Sequence, residues 1–252
     1  MSRSQNVIAD TAEGRIDPKY QWNRETPTVL VFDVNETLID FESMNPLFER
    51  LFGDRRVLRE WFAHLIMYSM TITLSGLYRD FFSLGQGILQ MLGDIHGVSL
   101  KPSDIAELEK GMMTMPAHAD VAEGLQKLKS AGFRMVTLTN SPPNPEGQSP
   151  LEHAGLAHFF ERQFSIDTVH AYKPSPFTYH LVAQELDVSP SSCCMVAAHA
   201  WDTLGAQSAG FSAAMITRPG NAALPIPGLP QPNFVVPDLP ALAAKLLAQK
   251  TV

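Results

Sequence analysis

The sequence predicts an α/β fold, a three-layer Rossmann-like parallel sheet with a helical cap inserted after its first strand. Three observations predict it. "TVLVFDV", residues 28–34, is a short continuous apolar run, which is how a strand buried on both faces reads. Residues 44–113 carry helical patterning and no strand signal. After Pro116 strand-like and helix-like segments alternate, which implies parallel strands joined by crossover helices.

Taken in order, residues 1–26 are polar, lack a signal-type apolar segment and read as an N-terminal extension. Residues 27–43 and 114–252 form the core domain and 44–113 the cap. In the cap, Leu58, Trp61, Phe62, Leu65 and Tyr68 recur at helical spacing. "YRDFFSLGQGILQMLGDIHGV" is a second helix, weakened by glycines, and "KPSDIAELEKGMM" a third, capped by Ser103. "DVAEGLQKLKSAG" turns Val121, Leu125 and Leu128 inward and stops at Gly132. "FRMVTLTN" is the second strand. "KPSPFTYHLVAQELD" is a helix with Ser175 as N-cap and Pro176 in its first position. "SCCMVAAHAWD" is a third strand ending in polar residues, "TLGAQSAG" a short helix stopped by Gly210, and "FSAAMITR" a fourth strand. A Pro-rich connection, a short strand and a last helix complete the chain.

Bulk properties exclude several functions. Net charge is −7 with no basic run, which argues against nucleic acid as a partner. No apolar stretch reaches the roughly 20 residues of a membrane span. Cys193 and Cys194 are adjacent and cannot build a disulfide framework, so they read as two buried thiols. A soluble cytoplasmic protein is expected. Hydrophobic residues make up 45%, enough for a substantial core.

In open α/β sheets ligands bind beyond the carboxyl ends of the strands. Polar residues gather there. The first strand ends on Asp33, with Asn35 and Thr37 beyond it, and the second on Thr139, Asn140 and Ser141. A loop carries Lys173, with Tyr179 in the following helix. The third strand ends in His199, Trp201 and Asp202. A nucleophile, hydrogen-bond donors, a cation and a second carboxylate thus surround one crevice.

These segments resemble the haloacid dehalogenase superfamily, and within it the type II 2-haloacid dehalogenases. "FDVNETLID" resembles the motif of a nucleophilic Asp followed four residues later by Thr. "TLTN" resembles the second motif, "YKPSPFTY" the Lys-Pro segment with Tyr six residues after Lys, and "AAHAWDTLGAQSAGF" the Asn-Ala-Trp-Asp segment. The resemblance runs from about residue 29 to 245. It implies the haloacid dehalogenase fold, and hydrolysis of short 2-haloacids to 2-hydroxy acids through an aspartyl ester on Asp33. It implies no metal and no cofactor, and a homodimer.

The residue types suit that chemistry. A carboxylate attacking a halogen-bearing carbon forms an ester, and the halide leaves as a stable anion that needs donors rather than an acid. Water then attacks the ester carbonyl, which calls for a base and an oxyanion-stabilising setting. Asp33 is the nucleophile. Lys173 holds it ionised and steers the substrate carboxylate. Thr37 and Thr139 orient carboxylates, Asn140 donates to the halide, Asp202 positions Lys173 or water, and Trp201 walls the pocket. Asn35, Tyr179 and His199 complete the lining.

Two other readings compete. Phosphate-transferring relatives carry Asp two residues after the nucleophile and an acid four residues before Asp202, both serving a Mg²⁺ site. Here those positions are Asn35 and Ala198. A non-catalytic paralogue that binds small acids is opposed by the joint presence of Asp33, Lys173 and Asp202. The histidines show no zinc-type spacing.

The match departs from the family at three places. Phe62 stands where the family's halide-abstracting Arg follows a Trp, leaving Arg59 and Arg79 as the nearby cations. Ala197 replaces a Ser, and His199 replaces the Asn of Asn-Ala-Trp-Asp. Glu36 reads as a helix-start acid.

Overall fold

The computed structural model describes residues 26–144 and 147–250. Apart from Thr26, the N-terminal extension lies outside the described residues. Six parallel strands form one sheet: β1 (Val29–Phe32), β2 (Arg134–Thr139), β3 (Arg162–Ser165), β4 (Cys193–Ala197), β5 (Ser212–Ile216) and β6 (Phe234–Val236). Their order is β3-β2-β1-β4-β5-β6. The chain fills one side of β1 first and then the other, so the order reverses beside β1. Such a reversal opens a crevice at the carboxyl edge. Phe32 lies opposite both Thr137 and Val196, which brings the ends of β2, β1 and β4 level there.

All residues of β1, β4 and β5 are buried, which accounts for their continuous apolar runs. Strand β3, "RQFS", was not expected from the sequence. It is a short edge strand whose one fully buried residue is Phe164, so no apolar run marks it.

Four helices come between β1 and the next core helix: α1 (Asn45–Phe52), α2 (Val57–Leu74), α3 (Phe81–His96) and α4 (Pro102–Thr114). Trp61 and Leu65 of α2 are fully buried, and the Trp61 indole donates to the Gly85 carbonyl of α3 at 2.9 Å. The chain enters and leaves this block side by side. Asp40 N donates to Pro116 O at 2.7 Å, and His118 N to Leu38 O at 3.0 Å. Ser103 does not cap α4, which begins one residue earlier at Pro102. Instead Asp104 turns back to accept from the Lys101 N–H at 2.8 Å.

The remaining helices are α5 (Val121–Ser130), α6 (Pro150–His153), α7 (Pro176–Glu185), α8 (Ala200–Ser208) and α9 (Leu239–Lys250). Gly132 and Gly210 follow α5 and α8 at φ of 78° and 91°, the left-handed stops the sequence calls for. Ser175 and Pro176 open α7 as expected. One boundary differs. Strand β4 ends at Ala197, His199 is the N-cap of α8, and Trp201 and Asp202 lie in its first turn. Asp is favoured in a first helical turn, where the backbone N–H groups are unpaired. No helix among the described residues is long and apolar enough to cross a membrane.

Candidate functional site

Asp33 leaves the end of β1 with 4% of its surface exposed. Its backbone N–H still pairs with Val196 O at 3.0 Å, so the carboxylate is carried on a fixed strand end. Oδ1 accepts from Lys173 Nζ at 2.8 Å and Oδ2 from Thr37 Oγ1 at 2.6 Å. Thr37 Oγ1 in turn accepts from the Ala198 N–H at 2.8 Å, which ties the turn after β1 to the end of β4.

Lys173 is fully buried. Beyond Asp33, its Nζ donates to Asp202 Oδ2 at 2.6 Å and to Leu138 O at 3.0 Å. Its backbone N–H donates to Asn140 Oδ1 at 3.2 Å. Asp202 Oδ1 accepts from Tyr179 OH at 2.6 Å. Asp33, Thr37, Lys173, Asp202 and Tyr179 thus form one continuous hydrogen-bonded set, drawn from β1, the loop before α7, α7 and α8.

His199 has Nε2 at 2.7 Å from Glu36 Oε2 and Nδ1 at 3.4 Å from Asp33 Oδ2. The first is a hydrogen bond. The second is an ion-pair distance without hydrogen-bond alignment, and Nδ1 has no other partner among the described residues. The imidazole stacks on Trp201, with centroids 4.9 Å apart at 16°, and meets Phe62 at 5.5 Å. Trp201 also lies 5.7 Å from Lys173 Nζ.

Burial alone would raise the Asp33 carboxyl, but the charge of Lys173 and the neighbouring His199 hold it well below the usual carboxylate range. Burial would lower His199, yet Asp33 and Glu36 together push it up to about 9. Burial would lower Lys173, and Asp202 and Asp33 reverse this. Burial raises the Asp202 carboxyl against the pull of Lys173, and keeps Tyr179 neutral. The site thus gathers the carboxyls of Asp33 and Glu36, both held low, and of Asp202, held high, around the cationic side chains of Lys173, His199 and Arg59.

Glu36 is not a helix-start residue. It is buried in the turn after β1 with φ of 67°, and it accepts from both His199 and Arg59. Sequence reasoning missed its role. The signal available was that His199 and Arg59 both needed an acid. Arg218 was also missed. It is buried and donates to Thr37 O at 2.9 Å and to Asp120 at 2.6 Å, bracing the same turn.

The other expected residues lie at the margins of this set. Arg59 is bound to Glu36, Glu42 and Pro219 O. Arg79 is exposed, and its guanidinium donates to the Tyr78 carbonyl at 3.4 Å. Asn35 Nδ2 donates to Ser141 Oγ at 3.3 Å, and Thr139 Oγ1 accepts from Ser141 N at 3.1 Å. Both therefore order the loop after β2 rather than touch Asp33. No group of three His, Cys, Asp or Glu among the described residues is arranged to hold a metal ion. The oxygens of Asp33 and Asp202 are already engaged by protein donors, position 35 offers an amide and position 198 a methyl.

A strand-end carboxylate kept ionised by a buried lysine, on a parallel sheet interrupted by a block of helices, is the arrangement of a hydrolase of the haloacid dehalogenase-like type. A family model for haloacid dehalogenase-like hydrolases matches residues 27–210, and the chain belongs to that family. Among its relatives, the (S)-2-haloacid dehalogenase 4A of Burkholderia cepacia is 32% identical over 194 residues, 76% of this chain and 83% of that protein. The (S)-2-haloacid dehalogenase of Xanthobacter autotrophicus is 29% identical over 197 residues, 77% of each chain. The solved structure of the L-2-haloacid dehalogenase from Xanthobacter autotrophicus with chloropropionic acid covalently bound matches with a TM-score of 0.79 at 26% identity, over 88% of this chain and 98% of that one.

Proposed function

We propose that the chain hydrolyses short (S)-2-haloacids to 2-hydroxy acids without a metal, with Asp33 as nucleophile. One observation carries this reading. Asp33 is buried, ionised and aligned by Lys173 and Thr37, while the positions that would serve a phosphatase metal and acid hold Asn35 and Ala198.

An Asp33 oxygen attacks the carbon that bears the halogen. The carbon–halogen bond breaks and the halide leaves with the electron pair. Water then attacks Cγ of the Asp33 ester, the hydroxy acid departs with the ester oxygen, and one proton is released. Lys173 keeps Asp33 charged before attack and stabilises the oxyanion during hydrolysis. Asp202 has a raised affinity for protons and takes up the water's proton, with Tyr179 fixing its orientation. Trp201 and Phe62 exclude bulk water, Asn140 holds the Lys173 backbone through its Oδ1, and Asn35 and Thr139 order the loop after β2. The helices α1–α4 act as the cap that closes over the substrate. A cytoplasmic homodimer is the expected setting; the resemblance supports the dimer, and two buried thiols suit a reducing compartment.

The test is halide release from 2-chloropropionate and chloroacetate in the presence of EDTA, with Asp33→Asn beside the native protein. Release by the native protein and none by the variant is expected. Release that survives Asp33→Asn would remove Asp33 from the reaction.

A further inference from the structure

We infer that His199, held charged and oriented by Glu36, is the cation that receives the departing halide, in the place where an arginine is missing. This rests on the dehalogenase reading.

Phe62 occupies the position of that arginine, and its ring lies 5.5 Å from the imidazole of His199. A cation, His199, therefore stands directly against the position of the lost one. Arg59 is already spoken for, its guanidinium bound to Glu36, Glu42 and the Pro219 carbonyl. Lys173 is enclosed behind Asp33, with Nζ shared between two carboxylates and the Leu138 carbonyl.

His199 carries a buried donor atom, Nδ1, that has no hydrogen-bond partner among the described residues. Glu36 Oε2 is a carboxylate oxygen and only accepts, so Nε2 carries a hydrogen. Nδ1 faces a second carboxylate and also carries one. That N–H is buried, lies 3.4 Å from Asp33 Oδ2 and has no hydrogen-bond partner among the described residues. A buried donor without a partner costs stability unless a ligand completes it. The groups that set its charge are all in place: Asp33 and Glu36 face the ring, Arg59 stands behind Glu36, Lys173 behind Asp33, and Trp201 and Phe62 cover its faces.

The reaction supplies the partner. When the Asp33–carbon bond forms and the carbon–halogen bond breaks, one negative charge moves from Asp33 to the halide, and no proton moves. His199 loses an anion at Nδ1 and gains one beside it. Glu36 stays charged throughout, and keeps the imidazole protonated and turned the same way. Glu36 is thus a positioning residue. Its φ of 67° is uncommon outside glycine, and it aims the carboxylate back beneath His199.

The test compares release of fluoride, chloride and bromide from matched two-carbon acids by the native protein, His199→Asn, Glu36→Gln and Arg59→Lys. Losing a charged donor to the leaving group is expected to cost roughly 10- to 100-fold in kcat. The loss should be largest for fluoride, the smallest and strongest acceptor, and least for bromide. Glu36→Gln should lower the alkaline limit of kcat from its native position, and Arg59→Lys should change all three rates alike. Glu36→Gly, which suits the left-handed backbone, provides a second Glu36 variant if the first does not fold. An unchanged order of halides in His199→Asn, or a uniform rise in KM with kcat kept, would assign His199 to the substrate carboxylate and overturn the inference. No halide release by the native protein would instead refute the dehalogenase reading.

Discussion

Tyr179 donates its hydroxyl to Asp202 Oδ1 at 2.6 Å, with both side chains fully buried, six residues after Lys173 takes the other oxygen of the same carboxylate. The helix α7 and the loop before it therefore hold Asp202 from both sides. Replacing Tyr179 by Phe leaves Oδ1 buried without its donor. A loss of about 1–3 kcal/mol in urea denaturation is expected. Asp202 should also bind protons more tightly, which moves the acid limb of kcat to higher pH. An unchanged limb would show that Asp202 is not the group that titrates.

Lys173→Met removes the cation between two carboxylates. Breaking a buried pair typically costs about 3–5 kcal/mol, because the remaining charges are uncompensated. The deficit should narrow as pH falls and the carboxylates protonate. Denaturation of the variant and the native protein at pH 7 and pH 5 reads this directly. Activity should fall by on the order of 10²–10³-fold, as for loss of one transition-state donor.

His199 gives stability a defined alkaline limit. Its affinity for protons is raised in the folded protein to about 9, from an ordinary 6.5. The stabilisation is fully present below pH 6.5 and is lost as pH rises through about 9. Asp33 works in the opposite sense. Its lowered value contributes above the ordinary carboxylate range and is lost only in strong acid. Urea midpoints of the native protein and His199→Asn should converge between pH 6.5 and pH 9. A constant gap across that window would mean that His199 is neutral.

Gly205 fixes how closely α8 approaches the Lys173 loop. A Cβ there would stand 2.4 Å from Pro174 Cβ and 2.7 Å from Tyr179 OH. Gly205→Ala must push α8 outward, at an expected cost of about 1–3 kcal/mol. Because Asp202 sits on the same helix, kcat should fall together with the melting temperature. A variant with native activity and native melting would show that the contact yields freely.

The legibility of the chain follows its physics. Strands β1, β2, β4 and β5 carry mostly buried, apolar runs and can be read directly, whereas β3 buries little beyond Phe164 and cannot. Asp33, Thr37, Lys173, Tyr179 and Asp202 stand next to strand ends or in the helix that follows, so topology gathers them. Glu36 and Arg218 escape for different reasons. Glu36 has a backbone conformation that residue type does not announce. Arg218 meets Thr37 only through the adjacency of β1, β4 and β5, which no local pattern encodes.

Glu36 carries a consequence for how such a sequence can change. It is a buried acid serving two cations, one of them buried with it and the other half-buried on α2. Replacing Glu36 alone takes a carboxylate from both cations, leaving Arg59 with Glu42 and His199 with Asp33. Replacing His199 alone leaves the acid short of a partner beside the nucleophile. Each one-residue step toward a family member with asparagine at position 199 takes a partner from a charge in the interior, which costs stability. Residues 36, 59 and 199 are therefore expected to be exchanged as a set, and swaps made one at a time should score worse than the triple replacement.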